Sequence, residues 1–125
     1  NISYFGDFKY KTGYEYGIEM LENEVDSVIC ATDNIALGLR KYLFEKSRED
    51  IIVSGVGNND LLSFLYRDHI TVDFLYRESG EYAGKLMLDK IKRNSDFVGQ
   101  SINNKKVFKS KLVVNGKVIK DKKKK

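Results

Sequence analysis

Short apolar runs, polar turns and helical patterns alternate along the chain, and residues 27–38 show this most clearly. Val28–Ala31 is an apolar run without alternation, which is typical of a parallel strand buried on both faces. Thr32 and Asp33 end the strand, and a helix is predicted to open at Asn34 and run to about Lys46. Because an oxygen of Thr32 or Asp33 can accept the free N–H groups of that helix, capping is the alternative to a ligand-binding role for Asp33.

The remaining patterns predict further strands and helices. The strands lie at residues 2–5, 51–56, 70–74, 107–114 and 117–119, and the helices at about residues 11–23, 61–65 and 78–93. In the last helix, Ala83, Leu86, Met87 and Ile91 are expected to face inward, with Gly80 and Gly84 allowing close packing. Asn115-Gly116 is a strong signal for a two-residue hairpin. This order predicts an α/β fold: a three-layer sandwich with a mainly parallel sheet, closed by a C-terminal β-hairpin.

The net charge of +4 is unevenly distributed along the chain. Residues 1–104 contain 12 Lys and Arg against 17 Asp and Glu, whereas residues 105–125 contain 10 against 1. We expect one domain over residues 1–119 and a basic, disordered tail over residues 120–125. The tail lacks the aromatic interleaving and groove-reading helix of a nucleic-acid site, which favours a solvated tail.

Polar turns follow three of the predicted strands, at residues 6–8, 32–34 and 57–59. Because the carboxyl ends of parallel strands meet at one edge of a sheet, we expect these turns to share a rim. Phe8 and Phe74 are expected nearby. Asn and Asp side chains beside an aromatic ring suit sugar recognition, since they bond hydroxyl groups while the ring packs on the apolar face of the sugar. Turn formation alone is the alternative for Asn58 and Asn59.

Signals for catalysis are weak, and we expect no enzyme, metal or cofactor. The only histidine, His69, is predicted to lie in an exposed loop. Asp7 and Asp33 could bind a metal as in a phospho-receiver fold, but the lysine that such a site needs is absent. Gly55-Val-Gly57 is too short for a phosphate-binding loop. Cys30 is predicted to be a small buried hydrophobe, and one cysteine fits a reducing, cytoplasmic compartment.

Several motifs together resemble the lactose/galactose repressor (LacI/GalR) family. They are Gly6-Asp-Phe8 with Gly13-Tyr14, Cys30-Ala-Thr-Asp-Asn-Ile-Ala-Leu-Gly38, Ile52-Val-Ser-Gly-Val-Gly-Asn58 and Ile70-Thr-Val72. They occur in the family's order and at its spacing over about residues 4–92. The stretches at residues 55–61 and 70–73 are most similar to the sucrose and trehalose branch of the family.

The resemblance implies the C-terminal subdomain, in part, of a periplasmic-binding-protein-like effector domain. It implies a sugar-responsive repressor that senses a disaccharide or its 6-phosphate, forms a homodimer and binds operator DNA through an N-terminal headpiece outside this chain. No membrane partner is expected. A sugar-binding receptor of a transport system is the alternative from another class, since it shares the fold.

The resemblance also implies roles for individual residues. Phe8 matches the aromatic residue that stacks on the effector, and Thr32 with Asp33 matches the polar pair at the central strand end. Gly57 falls where many members have an effector-binding Asp, so Asn58 or Asn59 would have to replace that contact. Phe74 falls at the family's crossover position, which is often Gln and which the resemblance assigns to the effector site.

A dimer face is implied as well, and it maps to Lys9, Tyr10, Gly13, Leu37, Leu61, Phe64 and Leu65. The apolar members of this set would otherwise form an exposed patch, which independently suggests a partner surface. A pair of prolines common in the family is replaced here by Asp68-His69.

Overall fold

The computed structural model describes residues 2–92 and 106–119. Its helices are α1 (Tyr10–Glu22), α2 (Asp33–Glu45), α3 (Asp60–Leu65) and α4 (Tyr76–Lys92). Its strands are β1 (Ser27–Ile29), β2 (Ile52–Val56), β3 (Ile70–Asp73), β4 (Lys111–Val114) and β5 (Lys117–Val118). The chain divides into two compact units, one formed by residues 74–110 and the other by the residues before and after them. The predicted tail at residues 120–125 lies outside the described residues.

The larger unit contains a sheet in which the strands lie in the order β1-β2-β3-β4-β5. β1, β2 and β3 are parallel, whereas β4 runs antiparallel to both β3 and β5. The predicted α/β class is confirmed. The sheet is mixed rather than mainly parallel, because the chain returns antiparallel beside β3. The three-layer sandwich with a C-terminal hairpin stays a prediction.

The hydrophobic core of this unit lies on one face of the sheet. Val53 of β2 is fully buried there with Leu39 of α2 and Leu62 of α3. On the opposite face, Ile29 is 88% exposed and Ile52 is 57% exposed. The prediction that the strand at Val28–Ala31 is buried on both faces is therefore wrong. Within this unit, the core formed with α1, α2 and α3 covers one face of the sheet, and β1 lies at the end of the strand order.

Glycines bring α1 and α2 into direct backbone contact. A methyl group at Gly13 would overlap the carbonyl oxygen of Ile35, and one at Gly38 would overlap that of Tyr10. Tyr42 packs over Gly17 in the same way. This close approach orients the first turn of α2, and therefore Asp33, relative to α1.

Two predicted elements differ in the structure. Residues 2–5 form no strand; Tyr4 instead stacks on Tyr16 of α1 with ring centroids 4.9 Å apart, and the Tyr16 hydroxyl donates to Phe5 O at 2.8 Å. A strand needs a neighbouring backbone, and this segment is held by side chains.

In the smaller unit, α4 buries none of its residues. Of its predicted inward positions, Ala83, Met87 and Ile91 are exposed and only Leu86 is half-buried. Among residues 2–92 and 106–119, no atom lies within 4 Å of where a Cβ would be at Gly80 or Gly84.

Candidate functional site

The polar turn after β1 begins α2 with a capped end. Thr32 is extended, and its Oγ1 accepts the N–H of Ile35 at 3.3 Å. Thr32 thus satisfies one of the free amides at the start of the helix. Asp33, the first residue of α2, is not the cap, and its carboxylate is directed elsewhere. Of the two capping candidates in the sequence, Thr32 has that role.

The carboxylate of Asp33 is 3% exposed and accepts hydrogen bonds from two other elements of the unit. Asn59 N–H donates to Oδ2 at 2.7 Å. The Thr71 hydroxyl contacts Oδ1 at 2.9 Å and Oδ2 at 3.0 Å. His69 Nε2 lies 3.1 Å from Oδ1. Asp33 therefore connects the start of α2 to the segment after β2 and to β3.

The pKa of Asp33 is set by opposing effects. Burial alone would raise the pKa, because a charged carboxylate loses its hydration. The hydrogen bonds from His69, from the backbone of Asn59 and from Thr71 outweigh burial, and the pKa lies below the ordinary value of 3.8. Asp33 is therefore ionised at neutral pH, and each of its bonds is charge-assisted.

His69 is fully buried, so the prediction of an exposed loop residue is wrong. The burial follows from its position two residues before Thr71, because an extended segment directs every second side chain to the same face. That face is the one against which Asp33 packs. The other ring nitrogen, Nδ1, is buried and has no hydrogen-bond partner among the residues that the structure describes. The alternation with Ile70 and Val72 places His69, Thr71 and Asp73 on one face, but it would ordinarily direct the apolar residues inward, so the sequence held no clear signal for the burial of His69.

The turn between β2 and α3 is held by three successive amides. Gly57 N–H donates to Val72 O at 2.9 Å, Asn58 N–H to Thr71 Oγ1 at 3.1 Å, and Asn59 N–H to Asp33. Gly57 has φ +129° and Asn58 has φ +55°, so both lie in the left-handed half of backbone space. Asn and Gly tolerate such angles best, which explains these residue types at this turn.

The side chains of the turn already have partners within the chain. Asn58 Nδ2 donates to Asp73 Oδ2 at 3.2 Å. Asn59 Oδ1 accepts Leu61 N–H at 2.9 Å and caps α3. The structure therefore brings together the predicted residues Asp33, Asn58 and Asn59, and it adds Thr71 and His69, which the sequence did not single out as site residues.

The aromatic residues predicted for the site are exposed. Phe8 is 66% exposed, just before α1. Asp7 beside it accepts the Lys9 N–H at 3.2 Å, and its pKa lies below the ordinary value because Thr12 and Lys9 donate to it. Phe74 belongs to the smaller unit, where it is 47% exposed and its ring contacts that of Tyr76.

Arg40 of α2 also contacts the segment that leads into β3. Arg40 Nη1 donates to Asp68 Oδ1 at 3.1 Å, and Nη2 donates to Val53 O at 3.1 Å. The guanidinium also stacks on Tyr66, 4.8 Å from the ring centroid. Asp33 and Arg40 lie two helical turns apart on α2 and bind the adjacent residues His69 and Asp68.

The residues assigned to a dimer face occupy different environments. Tyr10, Leu61, Phe64 and Leu65 are exposed, and Phe64 is 81% exposed. Exposed Lys9 pairs with Asp7, and Leu37 is half-buried against the core. Gly13 is buried in the α1–α2 contact and is thus unsuited to contact a partner, because its missing side chain serves the approach of α2.

Reactive and metal-binding groups are sparse in the part of the chain that the structure describes. Cys30 is buried as predicted, and burial raises the pKa of its thiol to about 12. A thiol with so high a pKa is a poor nucleophile at neutral pH. Residues 2–92 and 106–119 contain no cluster of three or more His, Cys, Asp or Glu side chains placed to hold a metal ion. Across the same residues, no helix combines the length and apolarity that a membrane crossing requires.

The chain shares a segment of 86 residues with bacterial regulators. Over that segment it is 36% identical to the HTH-type transcriptional regulator TreR of Salmonella typhimurium, covering 69% of this chain and 27% of the relative. TreR of Escherichia coli is 35% identical over a segment of the same length. The chain is homologous to LacI-family transcriptional regulators. It spans about a quarter of the length of these curated relatives, and no family model matches it.

Solved structures agree with this homology. The trehalose repressor from Escherichia coli superposes with a TM-score of 0.74 at 29% identity, covering 90% of this chain and 42% of that one. A LacI-family regulator from Enterococcus faecium with bound ribose gives 0.66 at 27% identity, covering 72% and 35%. The fold is the periplasmic-binding-protein-like α/β fold of LacI-family repressors, as the sequence motifs imply.

Proposed function

We propose that this chain is the effector-binding and dimerising part of a sugar-responsive transcriptional repressor. The observation that carries the proposal is its 36% identity to TreR, together with the superposition on the trehalose repressor. This relationship supports trehalose or its 6-phosphate as the effector, and the sequence resemblance adds sucrose and its 6-phosphate as candidates. Control of operator DNA would pass through a headpiece outside these residues, in a cytoplasmic protein that is not an enzyme. None of the relatives named above is described as a transport receptor.

The proposed effector site lies where the polar turns follow β1 and β2. Thr32 and the turn of residues 57–59 would supply polar groups, and exposed Phe8 would supply a flat apolar surface for a sugar ring. For Phe74, which belongs to the smaller unit, a role in effector binding stays a prediction from the family resemblance. Exposure supports the role of Phe8, because an aromatic side chain this open to water contributes little to the core.

The proposed dimer contact centres on the apolar residues of α3. Leu61, Phe64 and Leu65 expose at least half of their surface, and residues of this kind placed close together mark interaction surfaces. The test is analytical ultracentrifugation, in which Phe64→Asp is expected to convert a dimer into a monomer, whereas Phe44→Asp is not.

The effector is tested by thermal shift with the complete protein that contains this chain. Trehalose, sucrose and their 6-phosphates are titrated separately, with a nucleoside as an unrelated solute. A ligand that binds only the native state raises the melting temperature with its concentration. We expect a saturable shift with one sugar and none with the nucleoside. A flat response to every sugar would contradict sugar sensing.

A further inference from the structure

We propose that Asp33 is a positioning residue: through Thr71 and Asn59 it fixes the turn of residues 57–59, and it does not itself contact the effector. The inference rests on the proposed function and changes the role of one residue in it. The family resemblance places Asp33 in the effector site, beside Thr32. In the structure, its carboxylate instead accepts hydrogen bonds from Asn59 and Thr71 of the same chain.

The carboxylate has almost no capacity left for a ligand. A carboxylate can accept about four hydrogen bonds at its two oxygens. Three donor groups occupy these positions: Asn59 N–H, His69 Nε2 and the Thr71 hydroxyl, whose single hydrogen is shared between Oδ1 and Oδ2. The side chain is also only 3% exposed. A sugar hydroxyl could therefore reach the carboxylate only if the side chains that bury it moved.

The network acts on the turn through its backbone. Thr71 Oγ1 accepts the N–H of Asn58 while donating to Asp33, and Asp33 accepts the N–H of Asn59. One carboxylate thus orders two consecutive amides, directly and through one hydroxyl. These amides belong to the segment whose φ angles are positive at Gly57 and Asn58. Such angles persist where surrounding contacts hold them.

A glycine makes room for this arrangement. A methyl group at Gly55, on the strand that ends in the turn, would overlap Asp33 Oδ1. Gly55 pairs with Thr71 across the β2–β3 ladder. The strand therefore presents no side chain at the point where the carboxylate must lie against it.

The test compares amide protection with sugar binding. Selective ¹⁵N-asparagine labelling resolves Asn58 and Asn59 among the chain's nine asparagines. Hydrogen exchange of these two amides is measured without sugar, and trehalose affinity is measured by calorimetry. The variants are Thr71→Val, which removes the hydroxyl, Thr71→Ser, which retains it, and Asp33→Asn. Asp26→Asn is the control, because Asp26 is exposed just before β1.

We expect Thr71→Val to speed exchange of both amides at least about tenfold and to weaken trehalose binding by a similar factor. Thr71→Ser should restore both properties, and Asp33→Asn should deprotect Asn59. If Asp33→Asn does not fold, the comparison of Thr71→Val with Thr71→Ser still tests the positioning role. Loss of trehalose binding with unchanged amide exchange would overturn the inference, because Asp33 or Thr71 would then contact the sugar. Deprotected amides with unchanged affinity would also overturn it.

Failure of the proposed function gives a different result. If wild-type protein binds no trehalose, sucrose or 6-phosphate, sugar sensing fails. In that case the amide exchange of the same variants still shows whether Asp33 orders the turn. Unaltered exchange in both Thr71→Val and Asp33→Asn would then overturn the positioning role by itself.

Discussion

His69 Nε2 lies 3.1 Å from Asp33 Oδ1, although 36 residues separate them along the chain. Both side chains are buried, and the contact joins the first turn of α2 to the segment entering β3. Arg40 forms a second contact with Asp68, the residue before His69. Together the two contacts hold this segment against α2 at two positions that lie two helical turns apart.

His69 is expected to contribute strongly to stability. His69→Ala removes a donor from a buried carboxylate and leaves a cavity, and each effect alone costs about 1–3 kcal/mol. His69→Gln retains an N–H donor and should lose less. The free energy of unfolding is measured by urea denaturation. A loss below about 0.5 kcal/mol in His69→Ala, within the usual range for exposed sites, would contradict the buried contact.

Acid should weaken the contribution of Asp33. Its folded pKa lies below 3.8, so its stabilisation is fully present above that pH and is lost as the pH falls through the folded value. The difference in unfolding free energy between wild type and Asp33→Asn should therefore shrink below about pH 4. Denaturation at pH 7 and pH 3 measures it. A difference that stays constant or grows towards pH 3 would show that the charge of Asp33 is not stabilising.

Gly55→Ala should disturb the network from the strand side. The added methyl overlaps Asp33 Oδ1, and overpacking of this kind costs about 1–3 kcal/mol. The matched control is Gly84→Ala in α4, where no atom lies within 4 Å of the new methyl. That change should be neutral or stabilise by about 0.5–1 kcal/mol, because alanine favours a helix. Equal melting temperatures for the two variants would contradict the crowding at Gly55.

Phe8→Ala should weaken sugar binding without lowering the stability of the fold. Because Phe8 is 66% exposed, its removal should leave the melting temperature nearly unchanged while weakening sugar binding at least about tenfold. Phe44→Ala is the control, since Phe44 is 63% exposed and belongs to neither proposed surface. Calorimetry and thermal denaturation measure the two properties. Comparable losses in both would indicate that Phe8 is part of the core.

The sequence predicted the helices and strands from residue 10 to residue 73 well. In this region the apolar periodicity and the polar turns indicate the same element boundaries. It did not predict which faces are buried. An apolar run such as Val28–Ala31 has the same composition whether one face or both are covered, and Ile29 is exposed. The burial of His69 was missed because polar residues that alternate with apolar ones ordinarily face solvent, whereas here His69 and Thr71 face the buried carboxylate of Asp33. The backbone contact at Gly13 requires knowledge of how α1 and α2 cross, which local sequence does not contain.

The most direct test of the account is a calorimetric titration of the complete protein with trehalose, sucrose and their 6-phosphates. The account predicts a saturable heat of binding for one of these sugars, with one site per chain. Absence of binding heat for all four at several temperatures would contradict the claim that this chain senses a sugar. The homology to LacI-family regulators would stand, and the effector class would have to be sought elsewhere.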